Sequence, residues 1–130
     1  MANTIETQTL QDGARNVVVH VHLEGDGSGD ETNTVIVDKS AFADAGAFAT
    51  LRLKGIHADT VGLSAKLLWD GSTNKHFYSL PTDTEVDQWY PDKSSFGGIR
   101  NNAASPTGDI LITTSGLGSG DHAAITLWLT

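Results

Sequence analysis

The chain has 130 residues and a mass of 13.7 kDa, the size of a single domain (1–130) with one hydrophobic core. Sixteen acidic residues against 8 basic ones leave a net charge of −8. That balance excludes nucleic acid and an anionic membrane surface as principal partners, since both need clustered Lys and Arg. The absence of cysteine excludes disulfides, thiolate nucleophiles and cysteine-based zinc sites.

The acidic residues are 12 Asp and only 4 Glu, accompanied by 15 Thr and 14 Gly. Asp and Gly serve turns and Thr serves strands, so the composition reads as short strands joined by turns. No segment carries the apolar stripe of an amphipathic helix. Met1 to Leu10 lacks the basic and apolar regions of a signal peptide, and no apolar run, Val17-Val18-Val19 included, is longer than three residues. The expectation is a protein made and folded in a cytoplasm.

In chain order, a Thr-rich strand from Thr4 to Leu10 precedes turn chemistry at Gln11-Asp12-Gly13-Ala14. The next strand alternates clearly: Val17, Val19, Val21 and Leu23 on one face, Val18, His20, His22 and Glu24 on the other. After a loop at Gly25 to Asp30, Thr32 to Asp38 reads as a third strand with Val35 and Val37 on one face. Lys39 to Phe48 is Ala-rich and has room for one helical turn, which Gly46 weakens. Thr50 to His57 alternates with Leu51 and Leu53 inward, and Val61, Leu63, Ala65, Leu67 and Trp69 continue as a further strand. Asp70 to Asn74 turns the chain into a short strand from His76 to Leu80, stopped by Pro81.

The alternation then lapses from Pro81 to Gly108, an irregular excursion holding all 3 prolines together with Trp89, Tyr90, Phe96 and Arg100. Asp109 to Thr114 and His122 to Leu129 close the chain and read as a hairpin turned at Ser115 to Gly120. About eight strands at short spacing predict an all-β fold, an antiparallel β-sandwich or jelly roll. Its core should include Val19, Val21, Leu63, Leu67, Ile112 and Ile125.

Candidate chemistry is sparse. His20 and His22 project from one strand face, the arrangement by which some β-barrel enzymes hold a metal. The cupin pattern to which this compares spaces its Gly, His-x-His and Glu differently from Gly13, His20, His22 and Glu24, and its second motif is absent. The plainer reading is two histidines on the solvent face of a strand, with no metal and no cofactor. Asp26 to Glu31 alternates oxygen donors as calcium loops do, but Glu31 stands where such a loop needs Gly. Gly25-x-Gly27-x-Gly29 and Gly116-x-Gly118-x-Gly120 have no helix to open, so both read as turns rather than phosphate cradles. No Gly-x-Ser-x-Gly elbow is present. Trp89, Tyr90, Phe96 and Arg100 are the residue types enriched at protein contacts, and form the candidate docking set. The competing reading is that they cap an open end of the sandwich. Trp69, Trp89 and Trp128 are the residues a sugar-binding sandwich would use.

The opening Ala2 to Asn16, the loop Gly25 to Thr32, and Phe96-Gly-Gly-Ile-Arg-Asn-Asn102 followed by Thr107 to Thr114 resemble the capsid cement, or head decoration, proteins of tailed bacteriophages. The resemblance implies a non-enzymatic virion protein on the capsid exterior, made in the bacterial host cytoplasm. It implies a homodimer or homotrimer that binds the major capsid protein and bridges neighbouring capsomers. The alternatives are a small cupin-like metal enzyme using His20 and His22, or a carbohydrate-binding sandwich of a tail or fibre accessory.

Overall fold

A computed structural model describes residues 3–12, 17–38, 53–83, 85–89, 103 and 109–129, with backbone alone at 11, 12 and 89. Nine strands are present among them: β1 (Thr4–Asp12), β2 (Val17–Glu24), β3 (Thr34–Val37), β4 (Leu53–Val61), β5 (Ser64–Trp69), β6 (Lys75–Leu80), β7 (Glu85–Trp89), β8 (Ile110–Ser115) and β9 (His122–Leu129). They form a five-stranded sheet ordered β1-β2-β9-β4-β7 and a four-stranded sheet ordered β3-β8-β5-β6, antiparallel throughout. Pairing is nested: β2 with β9, β3 with β8, β4 with β7, β5 with β6. That is a long hairpin of strand pairs rolled into two sheets, a jelly roll, with β1 added at one edge.

Alternation decides the layers. Val17, Val19, Val21 and Leu23 of β2 are buried, as are Ala123, Ile125, Leu127 and Leu129 of β9. From the other sheet Ala65, Leu67 and Trp69 of β5 meet them, with Ile110 and Ile112 of β8. All six expected core residues have no exposed surface. Trp69 stacks on Phe77 of β6, ring centroids 3.9 Å apart and planes 14° from parallel.

Four readings of the sequence are corrected. The alternation from Val61 to Trp69 is not one strand. Val61 ends β4 at 45% exposure, Gly62 turns with φ +80°, and β5 begins in the opposite sheet. Gly62 is what makes the corner possible, because other residues seldom adopt that φ. Nor are β8 and β9 a hairpin: β8 lies between β3 and β5, β9 between β2 and β4, so Gly116 to Asp121 crosses between sheets. In β3 the buried residues are Ile36 and Val37, and Val35 is 46% exposed. An irregularity in the β3–β8 register between Val35 and Val37 shifts the alternation. Finally, the excursion near 81–108 contains β7, which pairs with β4 from Gly55↔Trp89 to Asp59↔Glu85. The Lys39–Phe48 turn and Leu51 lie outside the described residues.

The crossing segment is tied down by the loop after β2. Gly25 donates its N–H to the Asp121 carbonyl at 2.8 Å, and Gly120 donates to the Gly25 carbonyl at 3.0 Å. Asp30 Oδ1 accepts from the Leu117 N–H at 2.8 Å and from the Thr114 hydroxyl at 3.1 Å. The two glycine-rich segments therefore spend backbone groups on each other, as turns do.

Candidate functional site

Among the described residues the inner faces of both sheets pack into one apolar core, with a depression of about 380 Å³ at the β1–β3 edge lined by Thr7, Thr9, Val19 and Val35 to Asp38, and most polar side chains lie on outer surfaces. On the five-stranded sheet, side chains that alternate with the buried set line up in rows across the strands. One row runs Gln8, His20, Thr126, His57, Asp87; the next runs Glu6, His22, Ala124, Asp59, Glu85. Cross-strand neighbours in such rows stand close enough for their side chains to interact.

His20 and His22 share this outer face, as their spacing implies, but each has its own partner. His20 Nδ1 and the Thr126 hydroxyl share a hydrogen bond at 2.9 Å. His22 Nε2 lies 3.9 Å from Glu24 Oε2 on its own strand. Among the described residues the convergent His/carboxylate trio is a different one: one ligand atom each from His57, Asp59 and Glu85, all within 4.8 Å of one another. His57 and Asp59 are two apart on β4, and Glu85 is the register partner of Asp59 on β7. Sequence reasoning missed this trio because it ended the strand at His57 and placed 85–89 in an irregular stretch. The signal was present as His57-x-Asp59 and Glu85-x-Asp87, two period-2 pairs of polar residues.

Beside the trio is a depression of about 430 Å³ lined by Asp59, Thr60, Val61, Asp83, Glu85 and His122. Its wall is stapled in two places: the Thr60 hydroxyl donates to the Pro81 carbonyl, and the Gly62 N–H donates to Asp83 Oδ1 at 2.8 Å. These bonds hold the segment between β6 and β7 onto the end of β4.

The Asp26 to Glu31 loop uses its oxygens internally. Asp26 Oδ1 accepts from the Ser28 N–H at 2.9 Å. Glu31 accepts from Asn3 Nδ2 at 3.2 Å and from the Thr34 hydroxyl at 2.9 Å. Hydrogen bonds from Ser28 hold the Asp26 carboxyl below its ordinary pKa, and the Leu117 N–H does the same for Asp30. The loop is a staple, its carboxylates hydrogen-bonded by Ser28, Leu117, Thr114, Asn3 and Thr34.

Of the tryptophans proposed for sugar stacking, Trp69 is fully buried against Phe77 and has no face to offer. Trp128 is half-buried on the outer face, opposite Val18 and Gly55. In the docking set, Trp89 is placed by its backbone at the end of β7, opposite Gly55. Tyr90, Phe96 and Arg100 lie outside the described residues. Compared with known proteins, the chain matches no family model, no curated protein and no solved structure.

Proposed function

We propose that this chain is a non-enzymatic capsid decoration protein of a tailed phage, which binds the major capsid protein from outside and cements neighbouring capsomers. The observation that supports it best is that the described inner faces of the jelly roll pack into one apolar cluster. Val19, Val21, Leu67, Trp69, Ile112 and Ile125 meet where a jelly-roll enzyme or carrier would keep its ligand. Such a module acts through its surfaces, and by fold-level analogy jelly rolls recur in viral shells. The sequence resemblance in Ala2 to Asn16 and Phe96 to Asn102 points the same way.

A domain of 13.7 kDa offers limited contact area, so a lone copy would dissociate readily. Two or three copies joined by symmetry make later contacts intramolecular and raise occupancy without new chemistry. The protein is then a dimer, or a trimer, on the capsid exterior, with Trp89, Tyr90, Phe96 and Arg100 as contact anchors.

The test is co-sedimentation of purified protein with heads stripped of it, alongside its mass in solution. Wild-type protein should decorate heads and run as a small oligomer. Replacing Phe96 and Arg100 together by Ala should weaken decoration, at about 2 kcal/mol for each central anchor, with the β-sheet circular dichroism unchanged. Wild-type occupancy by the double variant would move the contact elsewhere, and bare heads with wild-type protein would end the cement reading.

A further inference from the structure

We propose that His57, Asp59 and Glu85 form a zinc-type divalent transition-metal site on the outer face of the five-stranded sheet, at its β4–β7 edge. Nothing in the capsid reading requires it, and it stands on four observations.

The first is convergence. One imidazole nitrogen and two carboxylate oxygens lie within 4.8 Å of one another. Ligands bound at roughly 2.0–2.2 Å to one ion are separated by no more than about 4.4 Å, so small side-chain rotations bring all three onto it.

The second is charge. Asp59 and Glu85 stand directly opposite in antiparallel register, and Asp87 is opposite His57. Like charges facing each other across a sheet are unfavourable, and a cation between them converts the repulsion into attraction. Among the described residues no Lys or Arg lines the adjoining depression.

The third is availability. The side chains of His57, Asp59 and Glu85 make no hydrogen bond or ion pair among the described residues. This contrasts with His20, His22, Asp26, Asp30 and Glu31, whose polar atoms have protein partners.

The fourth is preorganisation. His57 and Asp59 sit on β4, which is paired on both sides by β7 and β9. The staples from Thr60 to Pro81 and from Gly62 to Asp83 fix the approach to Glu85. A site on paired strands holds its ligands in place better than one on a loop.

The donor set selects the ion. One nitrogen and two oxygens suit zinc and its first-row neighbours, whereas calcium and magnesium take oxygen ligands alone. Three protein ligands leave a further coordination position, and the adjoining depression is also lined by Asp83 and His122.

The experiment is calorimetric titration of the full, chelator-treated chain with zinc chloride, calcium chloride and magnesium chloride, with thermal unfolding in parallel. Zinc should bind once per chain and raise Tm by roughly 5–10 °C at a hundredfold excess over Kd, while calcium and magnesium do far less. His57→Ala and Glu85→Gln should each weaken zinc at least tenfold. The paired change His20→Ala and His22→Ala should leave it intact. Glu85 is exposed, so Glu85→Gln tests the site without threatening the fold. Absence of zinc binding by wild-type protein, binding that survives both His57→Ala and Glu85→Gln, or loss with the His20/His22 pair would overturn the assignment. An equal response to calcium would overturn the choice of ion.

Discussion

Replacing Gly62 by alanine perturbs the corner between β4 and β5, where the chain leaves one sheet for the other. Two costs add there. The backbone has φ +80°, where an alanine costs roughly 1–2 kcal/mol relative to glycine. The new methyl group would also collide with the Asp121 carboxylate, whose Oδ2 would lie 2.8 Å from it and whose other atoms would lie closer. That carboxylate accepts the Gly118 N–H at 2.8 Å, so swinging it aside loses a hydrogen bond to a charged acceptor, worth about 1.5–3 kcal/mol. Gly62→Ala should therefore cost about 2.5–5 kcal/mol. Gly116 is the internal control: its φ is +78°, but a methyl there would meet only the Gly62 carbonyl at 3.7 Å, an ordinary contact. Gly116→Ala should cost the conformational part alone, about 1–2 kcal/mol. Urea unfolding followed by circular dichroism gives both values from the shift in midpoint. In an Asp121→Ala background the Gly62→Ala cost should fall to that of Gly116→Ala, since the collision is removed. Equal costs at the two glycines, or a Gly62 cost indifferent to Asp121, would refute the steric account.

Leu67→Ala should destabilise by about 2–5 kcal/mol, because Leu67 is fully buried on a central strand, whereas the half-buried Leu68 on the opposite face should lose less. Equal losses in denaturant midpoint would mean the register of β5 is wrong. The Asp30 carboxyl has a folded pKa below its ordinary value of 3.8, the depressed case. Its contribution is fully present above the unfolded pKa and is lost as pH falls through the folded one. Thermal melts taken from pH 6 downward should show wild type losing more stability below about pH 4 than Asp30→Asn; parallel curves would show that the Leu117 contact contributes nothing.

How far the sequence reached can be judged strand by strand. Alternation is a local property, because successive side chains must point to opposite faces whatever the partner. Hence Val19 and Val21, Leu63 and Leu67, and Ile112 and Ile125 could be assigned to the core before any fold was known. It misled where the backbone departs from regular pleating. Val61 and Leu63 keep the apolar pattern across Gly62, and the bulge beside Val35 exchanges the faces of β3. The β7 strand was obscured because Glu85 to Trp89 is an edge strand with few apolar residues, and among its described side chains only Val86 packs on the core.

Composition and local chemistry by themselves determined an all-β chain with turn-rich loops, an apolar set with the right members, and His20 and His22 on one outward face. Which strands pair was decided only by the tertiary structure. Ser115 to Gly120 has the residues of a hairpin turn, yet Asp30, Gly25 and Asp121 bind it into a crossing between sheets. The His57, Asp59 and Glu85 trio likewise exists only because β4 and β7 come together in one register. Local periodicity specifies the face of a side chain. Pairing depends on closing long loops against the total burial achieved by both sheets, a quantity that no single segment contains.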